Sequence, residues 1–133
     1  MDNKTDIINF GCPVTVTVDV IGGKWKGVIL YHLTDGPKRF NELRRLFPRI
    51  TQRMLTLQLR ELESDGVIHR EIYKEIPPRV EYSLTEFGET LRPLIVLMRD
   101  WGVTHEKAVL TNRETNNVMA RNSESISSCG VEA

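Results

Sequence analysis

The spacing of apolar positions changes several times along this chain, and each change marks a boundary. From Pro13 to Ile21, Val14, Val16, Val18 and Val20 alternate with polar residues. By period alone that predicts a strand, and β-branched propensity agrees. The same residues also satisfy a helix, with Cys12 as N-cap, Pro13 at the first helical position, and Val14, Val18 and Ile21 at i, i+4 and i+7. Gly22-Gly23 breaks the segment. Residues 24–34 then place Trp25, Val28, Ile29 and Leu33 on one helical face, and Asp35-Gly36-Pro37 makes a turn. Phe40, Leu43 and Leu46 give a short helix with Asn41 as its expected cap, ended by Pro48.

The next helix is expected from about Thr51 to Ser64. Met54, Leu55, Leu59 and Leu62 fall on its inward side; Arg53, Thr56, Leu57 and Arg60 fall opposite, with Gln52 on the flank. Gln58 also falls inward, with no apolar role to explain it. Asp65-Gly66 closes this helix. Two β-rich runs follow, 67–74 and 79–85, joined by the stiff linker Glu75-Ile76-Pro77-Pro78, which predicts a hairpin with an extended tip. A hairpin directly after two short helices and a tight turn is the wing of a winged helix-turn-helix. Thr85 is the expected cap of a long helix whose stripe runs through Phe87, Leu91, Leu94, Met98, Trp101 and His105, with Pro93 expected to kink it. The stripe exceeds what one small domain can bury, which predicts pairing with a second copy. Thr, Asn, Ser and Glu dominate after residue 111. The expected organisation is a flexible N-terminus (1–11), one domain over 12–107 for DNA binding and dimerisation, and a mostly disordered tail over 108–133. The fold class is α+β, mainly α: a winged helix-turn-helix with N- and C-terminal dimerisation helices.

Charge sharpens this picture. The chain holds 18 basic and 18 acidic residues, yet from Lys38 to Arg60 there are seven basic residues and one acid, Glu42. A balanced chain is not expected to coat nucleic acid nonspecifically, but one basic face suits a specific binder, because the phosphate term depends on where charges sit. Arg can make bidentate contacts to guanine, and Thr or Leu can touch a thymine methyl. The expected DNA-binding residues are Thr51, Gln52, Arg53, Thr56 and Arg60 in the major groove, with Lys38, Arg39, Arg49, Lys74 and Arg79 on phosphates. The chain carries no apolar run that would span a membrane and no secretory signal pattern. Its two cysteines, Cys12 and Cys129, have no metal-ligand or disulfide-framework spacing and fit a reducing cytoplasm. His32, His69 and His105 lack ligand spacing as well, so neither metal nor cofactor is expected.

Several blocks in order carry a resemblance: Cys12-Pro13, IGGKW (21–25), RFNEL (39–43), ITQRMLT (50–56), LRELESDG (59–66), PPRVEYSLT (77–85) and Asp100-Trp101. Together they resemble the HxlR family of bacterial winged helix-turn-helix transcription regulators over residues 12 to about 107. The resemblance implies a homodimer whose first and last helices form the subunit interface, acting on a pseudo-palindromic duplex operator. It also implies that 13–21 is helical, which overrules the strand period. Several members of that family sense oxidants or electrophiles through a cysteine in the N-terminal segment, and Cys12 looks like that residue. The alternative is a small buried side chain at the dimer interface; Cys129 could resolve Cys12 across the dimer or be incidental. Two rivals remain in view: a winged-helix module that binds protein and not DNA, for which the basic face has no use, and a thiol enzyme built on Cys12, which lacks an identifiable base or oxyanion site.

Overall fold

A computed structural model describes the backbone of residues 11–132 and the side chains of residues 11–122. The chain divides into two compact units, with the boundary after Val96. In order, the elements are α1 (Pro13–Ile21), α2 (Lys26–Leu33), β1 (Lys38–Arg39), α3 (Phe40–Leu46), α4 (Gln52–Ser64), β2 (Ile68–Tyr73), β3 (Arg79–Leu84), α5 (Glu86–Glu89) and α6 (Arg92–Glu132). The fold class is α+β and mainly α, as the sequence predicts. No described helix is long and apolar enough to cross a membrane.

The first segment is a helix despite its alternating valines. Cys12 is its N-cap and Pro13 occupies the first turn, where a missing N–H costs nothing. Its C-terminal end supplies Ile21 to the core, with Val20 packed against it, while Val14, Val16 and Val18 stay exposed. In α2 the buried residues are Ile29, Leu30 and Leu33. Trp25 packs at the helix start as expected, but Val28 is exposed and Leu30 takes the inward place assigned to it. Leu43 alone is buried in α3, with Phe47 and Ile50 from the following turn closing over the core; Leu46, expected inward, is exposed. The cap of α3 is not Asn41. The Glu42 carboxylate, at the third helical position, reaches back over the first turn to accept from the Arg39 amide at 2.8 Å.

In α4 the Thr51 hydroxyl oxygen accepts from the Met54 amide at 3.0 Å. Leu55, Leu59 and Leu62 are all but inaccessible to solvent, whereas Met54, expected inward, is exposed. The C-terminus is a Schellman turn: the Gly66 amide donates to Glu63 and the Val67 amide to Leu62. Gly66 sits at φ +80°, which its lack of a Cβ makes inexpensive.

The hairpin pairs β2 with β3 from Ile68↔Leu84 out to Tyr73↔Arg79. The short β1 adds to its other side through Lys38↔Tyr82 and Arg39↔Glu81, giving the order β1-β3-β2. That third strand has no signature in the sequence; two residues are too few to show a period. Val67, Ile68 and Tyr82 root the hairpin in the core, and β2 beyond Ile68 is exposed.

The expected single helix after Thr85 is two. Thr85 caps the short α5, accepting from the Gly88 amide at 2.8 Å and donating to the Gly66 carbonyl at 2.6 Å. A Cβ on Gly88 would lie 1.9 Å from the Val67 carbonyl oxygen, so the backbones meet there through glycine. The chain then breaks at Thr90-Leu91, and Pro93 lies in the first turn of α6. A proline there starts a helix and does not kink one. Residues 108–133, read from composition as mostly disordered, continue α6 as far as Glu132. Asn, Ser and Thr each disfavour a helix by only a fraction of a kcal/mol and no proline interrupts them. The expected flexible N-terminus falls almost wholly on residues 1–10, outside the described residues.

Candidate nucleic-acid interface

The surface of α4 opposite the core is built by helical geometry alone. With Leu55, Leu59 and Leu62 fixed inward, Gln52, Arg53, Leu57 and Arg60 are exposed and Thr56 is half-buried. Thr51, Gln52, Arg53, Thr56, Leu57 and Arg60 line a shallow concavity with Met54 at its edge. The hydroxyl of Thr56 donates to the Gln52 carbonyl at 2.9 Å, leaving its methyl group and an acceptor lone pair outward. Gln52 is held from the side: Arg44 of α3 donates to its Oε1 at 3.3 Å. That leaves its amide N–H groups to donate. Arg44 was not among the residues expected from sequence, and no periodicity could have found it, because the contact joins two helices across the turn.

The expected cations divide into two groups. Among the described residues, no ion pair engages Lys38, Arg39, Arg49, Arg53, Arg60 or Lys74. Arg79 is different. Glu75 and Glu81 each hold its guanidinium at 3.2 Å, and the group lies over the Tyr73 ring, 4.0 Å from the centroid. Its Nε is buried without an acceptor among the described residues. On this geometry Arg79 braces the hairpin across its strands and presents little free charge. Nearby, Arg70 faces Glu63 at 3.6 Å and His69 faces Glu71 at 3.0 Å. The linker beyond carries Ile76, fully exposed.

Behind α4, Gln58 lines a polar recess with Thr15, Val18, Asp19, Gly22, Gly23, Lys26 and Glu61, and lies 3.3 Å from the Met54 sulfur. Lys26 pairs with Glu61 at 2.8 Å across this recess, fastening α2 to α4. Gln58 is thus inward but at a polar seam. Burial raises the pKa of Asp65 close by; Lys26 opposes that rise, and Asp19 and Glu61 add to it. Cys12 is exposed at the N-terminus of α1, and its side chain makes no capping hydrogen bond. The side chain of Cys129 lies outside the described residues.

The family model described as HxlR-like helix-turn-helix matches residues 20–109. The chain belongs to that family. It is 70% identical over 99 residues to the HTH-type transcriptional regulator YdeP of Bacillus subtilis, spanning 74% of this chain and 77% of that one. Among solved structures, the redox regulator HypR in its reduced form superposes with a TM-score of 0.73 at 61% identity, covering 75% of this chain and 99% of HypR. The reduced form of the transcriptional regulator YodB from B. subtilis gives a TM-score of 0.60 at 38% identity, over 68% of this chain and 90% of YodB. The winged helix-turn-helix described above is therefore the architecture of the HxlR-like family, and α4 is its second helix-turn-helix helix.

Proposed function

We propose that this chain is a transcriptional regulator that binds a specific duplex DNA site as a homodimer. The observation that carries the reading is the outward surface of α4. It presents an amide, two guanidiniums, a hydroxyl-bearing side chain and a leucine on a helix anchored by three fully buried leucines. That set of groups suits base edges in a major groove. Gln52, Arg53 and Thr56 read bases, with Thr51 at the helix start and Arg60 at the edge of the reading surface beside the hairpin. Lys38, Arg39, Arg49 and Lys74 hold phosphates, which position the reader without adding sequence information. Arg79 acts through the shape of the hairpin.

The dimer covers apolar side chains that one chain leaves in water: Val14, Val16 and Val18 on α1, and Leu97, Trp101 and Val103 on α6. Two-fold symmetry then places two recognition helices about 34 Å apart, one turn of B-DNA, on a pseudo-palindromic site. Selection of bound fragments from genomic DNA, followed by footprinting, tests this. Half-sites separated by whole turns are expected; salt-insensitive or absent duplex binding overturns the reading.

A second reading concerns regulation. Cys12 is exposed at a helix N-terminus of the expected interface, in a chain similar to a redox regulator. Oxidation or alkylation of its sulfur by a small oxidant or electrophile would alter how two copies of α1 meet, and so the separation of the recognition helices. DNA binding is to be measured with and without diamide, for the wild type and Cys12→Ser. A diamide response that Cys12→Ser abolishes is expected; identical responses remove the sensor.

A further inference from the structure

The outward surface of α4 is not uniform. Thr56, Arg60 and Glu63 recur at i, i+4 and i+7, so they share an edge of the helix, and that edge faces the hairpin. There, with Arg70 and Tyr82, they line a cavity of about 150 Å³. Arg70 and Tyr82 are direct cross-strand partners in the β2–β3 register, so strand pairing sets the far wall while the helix sets the near one. The volume suits several waters at roughly 30 Å³ each, or one compact polyatomic ion.

Its donors are unspent. Arg60 makes no ion pair among the described residues. Arg70 faces Glu63 at 3.6 Å through Nε, too long for a strong hydrogen bond. The Tyr82 ring is buried in the core, and its phenol, protonated at neutral pH like any tyrosine, can donate into the cavity. Two guanidiniums and one carboxylate leave the cavity with a net charge of +1.

We infer that the cavity between α4 and the hairpin binds a single phosphate group, with Arg60, Arg70 and the Tyr82 hydroxyl donating to its oxygens. Its source is either a phosphodiester of the DNA backbone or free inorganic phosphate; the former rests on the DNA-binding reading above, the latter does not. Glu63 holds Arg70 in place when the cavity is empty and weakens the site, since its carboxylate opposes the incoming anion.

The test has two arms. In the first, DNA-free protein is titrated with inorganic phosphate while the arginine Nε–H and tyrosine ring resonances are followed by NMR. Saturable shifts of Arg60, Arg70 and Tyr82 are expected, lost in Arg70→Gln, weakened in Tyr82→Phe and strengthened in Glu63→Gln. In the second, the salt dependence of duplex binding is compared for wild type and Arg70→Gln. A uniform loss across sequences with a slope reduced by about 1 assigns the site to the backbone. Saturation in the first arm alone, with phosphate competing against DNA, assigns it to the free anion. No saturable shift together with an unchanged slope overturns the proposal. If the wild type binds no duplex at all, the proposed function fails, and the first arm still decides the cavity.

Discussion

The cations of α4 and those of the hairpin look alike as letters and differ as groups. Arg53 and Arg60 stand on a helix whose acids, Glu61 and Glu63, lie toward other partners: Glu61 holds Lys26 and Glu63 faces Arg70. Arg79 stands on a strand where Glu81 is two residues on, along the same face, and Glu75 lies across the tip. On α4 no acid stands three or four residues from Arg53, whereas the period of two puts Glu81 beside Arg79. Net charge counted along a sequence therefore overstates what a hairpin can offer a phosphate and is a fair guide for a helix.

The comparison can be broken at its base by removing what holds α4 in place. Leu59→Ala should cost roughly 2–5 kcal/mol, because Leu59 is almost wholly buried and its neighbours cannot all collapse into the gap. Urea denaturation measures it; a loss under about 1 kcal/mol would mean that α4 is not anchored as described. Next in size is Arg53→Ala. Duplex affinity should fall by roughly 1–3 kcal/mol and discrimination at one base position should relax, with stability changed by less than about 0.5 kcal/mol. Arg79→Ala should show the reverse balance: a stability loss of about 1 kcal/mol from the lost contacts with Tyr73, Glu75 and Glu81, and a smaller effect on affinity than Arg53→Ala. Equal effects of the two substitutions on binding would erase the distinction between the regions.

The smallest expected effect is a dependence on pH. His32 lies against Phe47 and Tyr31, each with ring centroids 5.3 Å away. Burial lowers its pKa and Lys38 adds to that, while Asp35 opposes it. A histidine depressed in the folded state contributes full stability above its ordinary value of about 6.5 and loses it as pH falls through the folded value. Wild type should therefore lose stability on acidification in that window, and His32→Gln should lose less; parallel profiles would show that His32 contributes nothing.

How much of this was legible depended on whether an interaction lay within one element. The limits of α4, its Gly66 stop and most of its outward side followed from local signals, because a helix with three buried leucines has one way to face the core, though Met54, expected inward, is exposed. The helical state of residues 13–21 came from resemblance to a family and not from period, since Val14 to Val20 alternate as a strand would. Interactions between elements left no local trace. Arg44 reaching Gln52, β1 pairing with β3, and the brace around Arg79 each join residues whose meeting depends on the finished fold. The division of the last helix was readable in principle: Pro93 signals a helix start as well as a kink, and only the break at Thr90-Leu91 decides which.

The pairing of Lys38 with Tyr82 has a kinetic consequence. It closes a loop that contains α3, α4 and β2, so both helices of the reading unit form inside a ring of chain whose ends are hydrogen-bonded together. Closing such a ring costs entropy before any contact across it is gained. The strand pair at its ends should therefore assemble late in folding, after α4 has docked on α2. Once closed, the ring lowers the entropy that α4 gains by opening while the sheet persists, so the amide protons of α4 should exchange more slowly when β1 is paired than when that pairing is disrupted.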